Sequence, residues 1–316
     1  MARRPYAVGA PAPVRTDPSP PRRAAASLKD IMLRLPTRRG SGREPLAAKV
    51  PEITVLFWII KVLTTGMGEA ASDFLGKVSI PLAGAVGILG FVVALRLQLR
   101  TPEYRATVYW PAVLMVAVFG TMAADGVHVG AGLPYALTTV FYAVVVAAIF
   151  SYWHRSEGTL SIHSITTRRR EILYWSAVLA TFALGTAAGD LTAIQLHLGY
   201  FASGLLFAAV IAVPALAWWR GWLNPIAAFW AAYVVTRPLG ASFADWLGKP
   251  AHHSGLGLGD GTVTGLGLLL FVALVAYTAA TKRDIQRPAG GRSHPHRHLP
   301  HLHLDGAAMR PQAAEE

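Results

Sequence analysis

Residues 57–73 read Phe57-Trp58-Ile59-Ile60-Lys61-Val62-Leu63-Thr64-Thr65-Gly66-Met67-Gly68-Glu69-Ala70-Ala71-Ser72-Asp73. An aromatic residue and a tryptophan are followed by nine residues, a glycine, four residues and an aspartate. The same frame returns at Tyr109-Trp110…Gly120…Asp125, at Tyr174-Trp175…Gly185…Asp190 and at Phe229-Trp230…Gly240…Asp245, with identical spacing. Each copy lies in an apolar stretch long enough to cross a bilayer. Carboxylates at such depth are costly unless they have a use.

The rest of the chain agrees with a membrane assignment. Of 316 residues, 53% are hydrophobic and only 15% charged, against about 25% charged in soluble proteins. Apolar runs at about 54–75, 78–98, 106–127, 132–152, 172–194, 199–219, 225–247 and 262–281 predict eight spans. The fold class expected is an all-α integral membrane protein of eight transmembrane helices. These form four parallel two-helix repeats between disordered tails.

Basic residues lie on one side of these spans. Arg96, Arg100 and Arg105 surround the second break, Arg155 and Arg168 to Arg170 the fourth, Arg220 the sixth, and Lys282, Arg283 and Arg287 follow the eighth. The opposite loops hold only Lys77 and Lys249. This asymmetry predicts an inner-membrane protein with both termini cytoplasmic. It also accounts for the net charge of +12 without nucleic-acid binding, since no domain-sized basic fold remains outside the spans. There is no cysteine, so disulfides and thiolate chemistry are excluded.

The organisation read from this pattern is a basic disordered tail over 1–47, then repeats over 48–100, 101–165, 166–221 and 222–284, then a disordered tail over 285–316. Ser27 to Leu35 is a candidate short surface helix. Every repeat has an even number of spans, so all four share one orientation, related by rotation about the membrane normal.

The stretch Lys49-Val50-Pro51-Glu52…Phe57-Trp58…Gly68-Glu69…Ser72-Asp73 resembles a bacterial membrane protein family of four tandem repeats. Each repeat there has two spans and a characteristic tryptophan, and the family is classed as a repeat of unknown function. Pro102-Glu103 echoes the opening in the second unit; the third keeps only Glu171 and the fourth Asn224-Pro225. The resemblance covers about 48–284. It implies the architecture and no activity.

Counted from each tryptophan, positions 0, 3, 7, 11 and 15 form one helical stripe. The stripes are Trp58, Lys61, Thr65, Glu69, Asp73; Trp110, Val113, Ala117, Thr121, Asp125; Trp175, Val178, Phe182, Thr186, Asp190; and Trp230, Tyr233, Arg237, Ala241, Asp245. The bundle interior is the least costly place for this face. The aromatic pairs read first as interfacial belt anchors, and Gly68, Gly120, Gly185 and Gly240 as points of close helix approach. The aspartates read as caps at the outer helix ends, as hydrogen-bond partners of the next unit, or as a cation site.

For the cation site, the four aspartates and the hydroxyls of Ser72, Thr121, Thr186 and Ser242 supply hard oxygen donors. Such donors suit Mg²⁺, Mn²⁺, Ca²⁺ or protons, so a divalent metal ion enters as a candidate substrate rather than a cofactor. His128, His197, His252 and His253 in the aspartate-side loops add weak support for softer metals. Lys61, Glu69 and Arg237 break the fourfold symmetry. Five span acids against these two bases leave an excess of three negative charges. Glu69 and Arg237 belong to the first and last units, which are neighbours in a closed ring, and are expected to pair. The tail histidines His294, His296, His298, His301 and His303 are a further, low-geometry metal candidate.

Gly257-Leu258-Gly259-Asp260 matches the Gly-x-Gly-Asp of intramembrane aspartyl proteases. A flexible turn leading into a helix explains it more simply. No P-loop, HExxH or GxSxG is present, and no enzymatic activity is expected. The expectation is therefore a transporter or sensor of a small cation. The alternative is a non-transporting scaffold whose repeats are purely structural. Convergence of the four aspartates on shared space separates the two.

Overall fold

A computed structural model describes residues 48–286. Within them are eight α-helices: α1 (Val55–Val78), α2 (Ile80–Arg100), α3 (Ala106–Asp125), α4 (Tyr135–Glu157), α5 (Arg168–Asp190), α6 (Gly199–Trp219), α7 (Pro225–Gly248) and α8 (Asp260–Thr281). Local chemistry sets their ends. Thr54, Thr167 and Asn224 each accept a hydrogen bond from the backbone N–H three residues on, opening α1, α5 and α7. Gly158 adopts φ +70° and its N–H closes α4 on the His154 carbonyl.

Seven of the eight helices are long and apolar enough to cross a membrane. The exception is α7, which carries Arg237 and Asp245. It packs among α1, α5 and α6, where neighbouring helices rather than lipid surround its polar side chains.

The odd helices form a closed inner ring in the order α1, α3, α5, α7 and back to α1. The even helices lie outside it: α2 packs on α3, α4 on α5, α6 on α7, and α8 on α1. Each returning helix thus lies against the first helix of the following repeat, and the last repeat closes on the first. The exposed faces of α2, α4, α6 and α8 are lined by residues such as Leu89, Val144, Val213 and Leu269, which give the bundle its lipid-facing surface.

The repeated frame is the contact between neighbours in this ring. A Cβ on Gly68 would lie 2.4 Å from Ala117, one on Gly120 2.7 Å from Phe182, one on Gly185 2.1 Å from Arg237, and one on Gly240 1.8 Å from Thr65. In every case a position-10 glycine receives the position-7 residue of the next helix. Only the absence of a side chain permits that approach.

The aromatic pairs repeat the same sense of rotation. Phe57 packs on Trp110 at 5.6 Å, Tyr109 on Trp175 at 5.5 Å, Tyr174 on Trp230 at 6.0 Å and Phe229 on Trp58 at 5.7 Å between ring centroids. The belt-anchor expectation is therefore corrected. Trp110, Trp175 and Trp230 are buried and Trp58 half-buried, because each ring fills the space beside its neighbour's aromatic residue.

The extended segment before α1 ties the tryptophan end together. Lys49 N–H donates to Ile165 O, Glu52 N–H to Asp284 O, and Ala48 O accepts from Tyr104 N–H. Lys49 Nζ bonds Glu171 Oε2 at 2.6 Å, and Gln98 Nε2 donates to the other oxygen at 3.1 Å. Tyr104 donates to Asp284, and burial pushes both groups above their ordinary pKa values.

In the even helices, Gly87 and Gly90 are filled by Met122 and Met115, whereas Gly84 faces open space and Pro81 lies in the first turn of α2. The 1–47 tail, the Ser27 to Leu35 helix and the tail histidines lie outside the described residues.

Candidate functional site

All four stripes face the ring axis and stack in layers. Nearest the tryptophan end are the tryptophans. Above them lie Lys61, Val113, Val178 and Tyr233, then Thr65, Ala117, Phe182 and Arg237, all buried. The next layer is Glu69, Thr121, Thr186 and Ala241, also buried, and the aspartates come last.

Arg237 is the hub. Its Nη2 donates to Glu69 Oε2 at 2.7 Å, to Thr186 Oγ1 at 2.7 Å and to Thr121 Oγ1. Its Nη1 donates to the Thr65 carbonyl at 2.6 Å and its Nε to the Phe182 carbonyl at 3.3 Å. Thr121 and Thr186 in turn donate to Glu69 Oε2, each at 3.2 Å. The Glu69–Arg237 pair expected from ring order is present. Four helices meet in one network, and the guanidinium fork fills the axis.

Above this hub, Glu69, Asp73 and Asp245 each offer one oxygen, and the three atoms lie within 4.8 Å of one another. A lysine serves this group. Lys249, one residue past α7, bonds Asp73 Oδ2 and reaches Asp245 Oδ1 at 3.8 Å. Burial pulls the Lys249 pKa down, but the carboxylates of Asp73 and Asp245 outweigh it and hold the ammonium above the usual lysine value.

Asp125 and Asp190 are half-buried and make neither ion pair nor side-chain hydrogen bond among the described residues. They are near enough to Glu69, Asp73 and Lys249 to feel their charges. None of the four aspartates caps a helix N-terminus. Asp73 and Asp245 sit inside α1 and α7. The chain continues past Asp125 and Asp190 into π-type turns, Gly126–Gly130 and Leu191–Gln195.

Lys249 also lines a cavity of about 600 Å³ at the aspartate end, with Lys77, His197, Tyr200, His252 and His253. His128 lies elsewhere, bonded to the Leu133 carbonyl at 2.6 Å and stacked on Tyr135. Ser72 and Ser242 are buried, and Ser242 Oγ has no partner among the described residues.

The loop lysines were the residues missed by reading the sequence. Both enter the sequence reading only as charges on the aspartate side, yet Lys77, in the last turn of α1, pairs with Asp260 and Lys249 with Asp73. The signal was available: both stand four residues beyond a frame aspartate, at the same offset from the tryptophan. The interior charge is corrected accordingly. Five carboxylates face three cations (Lys61, Arg237 and Lys249), an excess of two negative charges when all are ionised.

Four segments of the chain, 56–104, 108–159, 173–221 and 228–284, match the family model described as Repeat of Unknown Function (DUF347). No curated protein and no solved structure matches the chain.

Proposed function

The chain belongs to the DUF347 repeat family, whose description states no activity, and we propose a function from the site itself: the bundle binds and moves a small cation, a divalent metal ion or a proton, through the carboxylate layer. One observation carries this reading. Three carboxylate oxygens from α1 and α7 lie within 4.8 Å, and a tethered ammonium already bonds Asp73 and approaches Asp245. Lys249 takes the place beside Asp73 that a free cation would take, and it also lines the cavity at the aspartate end. All-oxygen donors suit Mg²⁺, Mn²⁺ or Ca²⁺.

The loop charges support a plasma-membrane location with both termini cytoplasmic, which makes the aspartate end the outer one. No catalysis is assigned. Asp260 is paired with Lys77, and Gly257 and Gly259 take positive φ in a turn that delivers the chain into α8. The scaffold alternative draws on two features: Asp125 and Asp190 stand outside the three-carboxylate group, and all three Arg237 nitrogens are fully partnered, as purely structural glue would be.

Flux decides between them. Proteoliposomes of wild type and Asp73→Asn are compared for Mg²⁺, Mn²⁺, Ca²⁺ and proton movement. Cation movement predicts at least a tenfold loss in the variant, as removal of one charged ligand weakens binding by about 2 kcal/mol or more. Equal flux for every ion tried overturns it in favour of the scaffold.

A further inference from the structure

Lys61 is a buried charge that the site above does not use. It lies two layers below Glu69, and the residue is 1% exposed. Its Nζ has no hydrogen-bond partner among the described residues. The groups beside it are aromatic: the ring centroids of Phe182 and Tyr233 lie 4.1 Å and 4.2 Å away. Phe182 also carries the Arg237 guanidinium, 5.1 Å from its centroid. Two cations thus share one ring, and Glu69 makes its ion pair with Arg237 rather than with Lys61.

Leaving aside Lys282, which is exposed, the other described lysines make the contrast. Lys49 is bonded to Glu171, Lys77 to Asp260 and Lys249 to Asp73. Lys61 alone of these four has no carboxylate. A lysine held by ring faces can lose its proton without breaking an ion pair or a hydrogen bond. Arg237 beside it cannot, because a guanidinium stays protonated in proteins.

The surroundings also supply somewhere for a proton to go. Facing Lys61 are Arg237 and Tyr233 from α7, with Glu69 on its own helix toward the carboxylate layer. Toward the tryptophan end lie Tyr174 of α5 and Tyr109 of α3, whose hydroxyl oxygens are 2.5 Å apart. The Tyr233 hydroxyl is buried with no partner among the described residues. At the level of Lys61 and one turn on, α3 presents only Val113 and Ala117.

We propose that Lys61 carries an exchangeable proton on the bundle axis, between the carboxylate layer on one side and the hydroxyls of Tyr233, Tyr174 and Tyr109 on the other. On release, one N–H bond of the ammonium breaks and its electron pair stays on nitrogen. Lys61 Nζ bonds no hydroxyl while it lies on the rings, so the side chain swings off them to give the proton to a tyrosine oxygen, which hands its own proton onward. Coupling to a second cation rests on the function proposed above. A cation drawn to Glu69 leaves the Arg237 charge less neutralised beside Lys61, and that repulsion drives the proton off.

Two measurements on the full chain test this. In detergent, ¹⁵N-labelled lysine side chains are followed by NMR across the pH range in which the protein stays folded, with Lys61→Met identifying the resonance. Passage of Lys61 Nζ between ammonium and amine is expected, and a constant charge state overturns the proposal. With six lysines in the chain, the wild-type spectra decide alone where the variant does not fold.

In proteoliposomes with a trapped pH dye, proton flux should fall at least tenfold in both Lys61→Met and Lys61→Arg. Arginine keeps the charge and the ring contacts but never releases its proton, so wild-type flux in Lys61→Arg overturns the proposal. Adding Mg²⁺ or Mn²⁺ to the NMR titration separates the two readings. A Lys61 transition that neither ion shifts upholds the proton carrier and counts against cation binding at Glu69.

Discussion

Gly185 on α5 and Arg237 on α7 share one space: a Cβ on Gly185 would lie 2.1 Å from Arg237 Cγ and 2.9 Å from Pro238 Cδ. The stem of the arginine crosses the neighbouring helix where that helix has no side chain. The frame glycine of the third repeat therefore admits the residue that breaks the symmetry of the fourth.

Gly185→Ala should accordingly destabilise the protein by about 1–3 kcal/mol through overpacking. Gly84→Ala is the control, since nothing lies within 4 Å of its Cβ position and alanine favours a helix. Thermal unfolding in detergent reads both. An unchanged midpoint for Gly185→Ala would mean that α5 and α7 do not touch there.

The Glu69–Arg237 pair is buried on both sides, so removing one partner should cost more than removing both. Arg237→Met leaves Glu69 with only two threonine hydroxyls as donors and should lose about 3–5 kcal/mol. Adding Glu69→Gln should restore more than half of that loss. A double-mutant cycle on unfolding free energy gives the answer, and strict additivity would show that the two groups act independently.

Lys249 makes a pH prediction. Its folded pKa is raised, so its contribution to stability is fully present below the unfolded lysine value of about 10.4 and is lost as pH rises through the folded one. The stability difference between wild type and Lys249→Met, measured between pH 7 and about 9, should owe no change to the lysine, and it should shrink only above about 10.4. A difference that falls away between pH 7 and 9 would show that the ammonium is not held by Asp73 and Asp245.

The sequence was most informative where one helix reports on itself. Apolar length predicted the helices, and a fixed spacing predicted that Trp, Gly and Asp share a face, because helical periodicity is local. The Glu69–Arg237 pair was also legible, since parallel repeats in a closed ring make the first and last units neighbours. The ion pairs of Lys77 and Lys249 were not legible. The charge of each counts toward loop asymmetry, and nothing local says which carboxylate a lysine four residues past an aspartate will meet: Lys249 turns in to Asp73, whereas Lys77 stays largely exposed as it reaches Asp260.

The sequence by itself determined four parallel repeats, their inward stripe and the three charged residues that depart from symmetry. Only the tertiary structure decided what the stripe is made for at each depth. The tryptophans and glycines turned out to be the ring's own packing, because each meets the next helix and not the lipid. Lys249 turned out to sit among carboxylates, and Lys61 to have two aromatic rings and no anion. Asp73 lies 176 residues from Lys249, and the groups that meet at Arg237 from α5 and α1 lie 51 and 172 residues from it. No spacing rule reaches so far, because burial and electrostatic pairing are properties of the closed ring and not of any one helix.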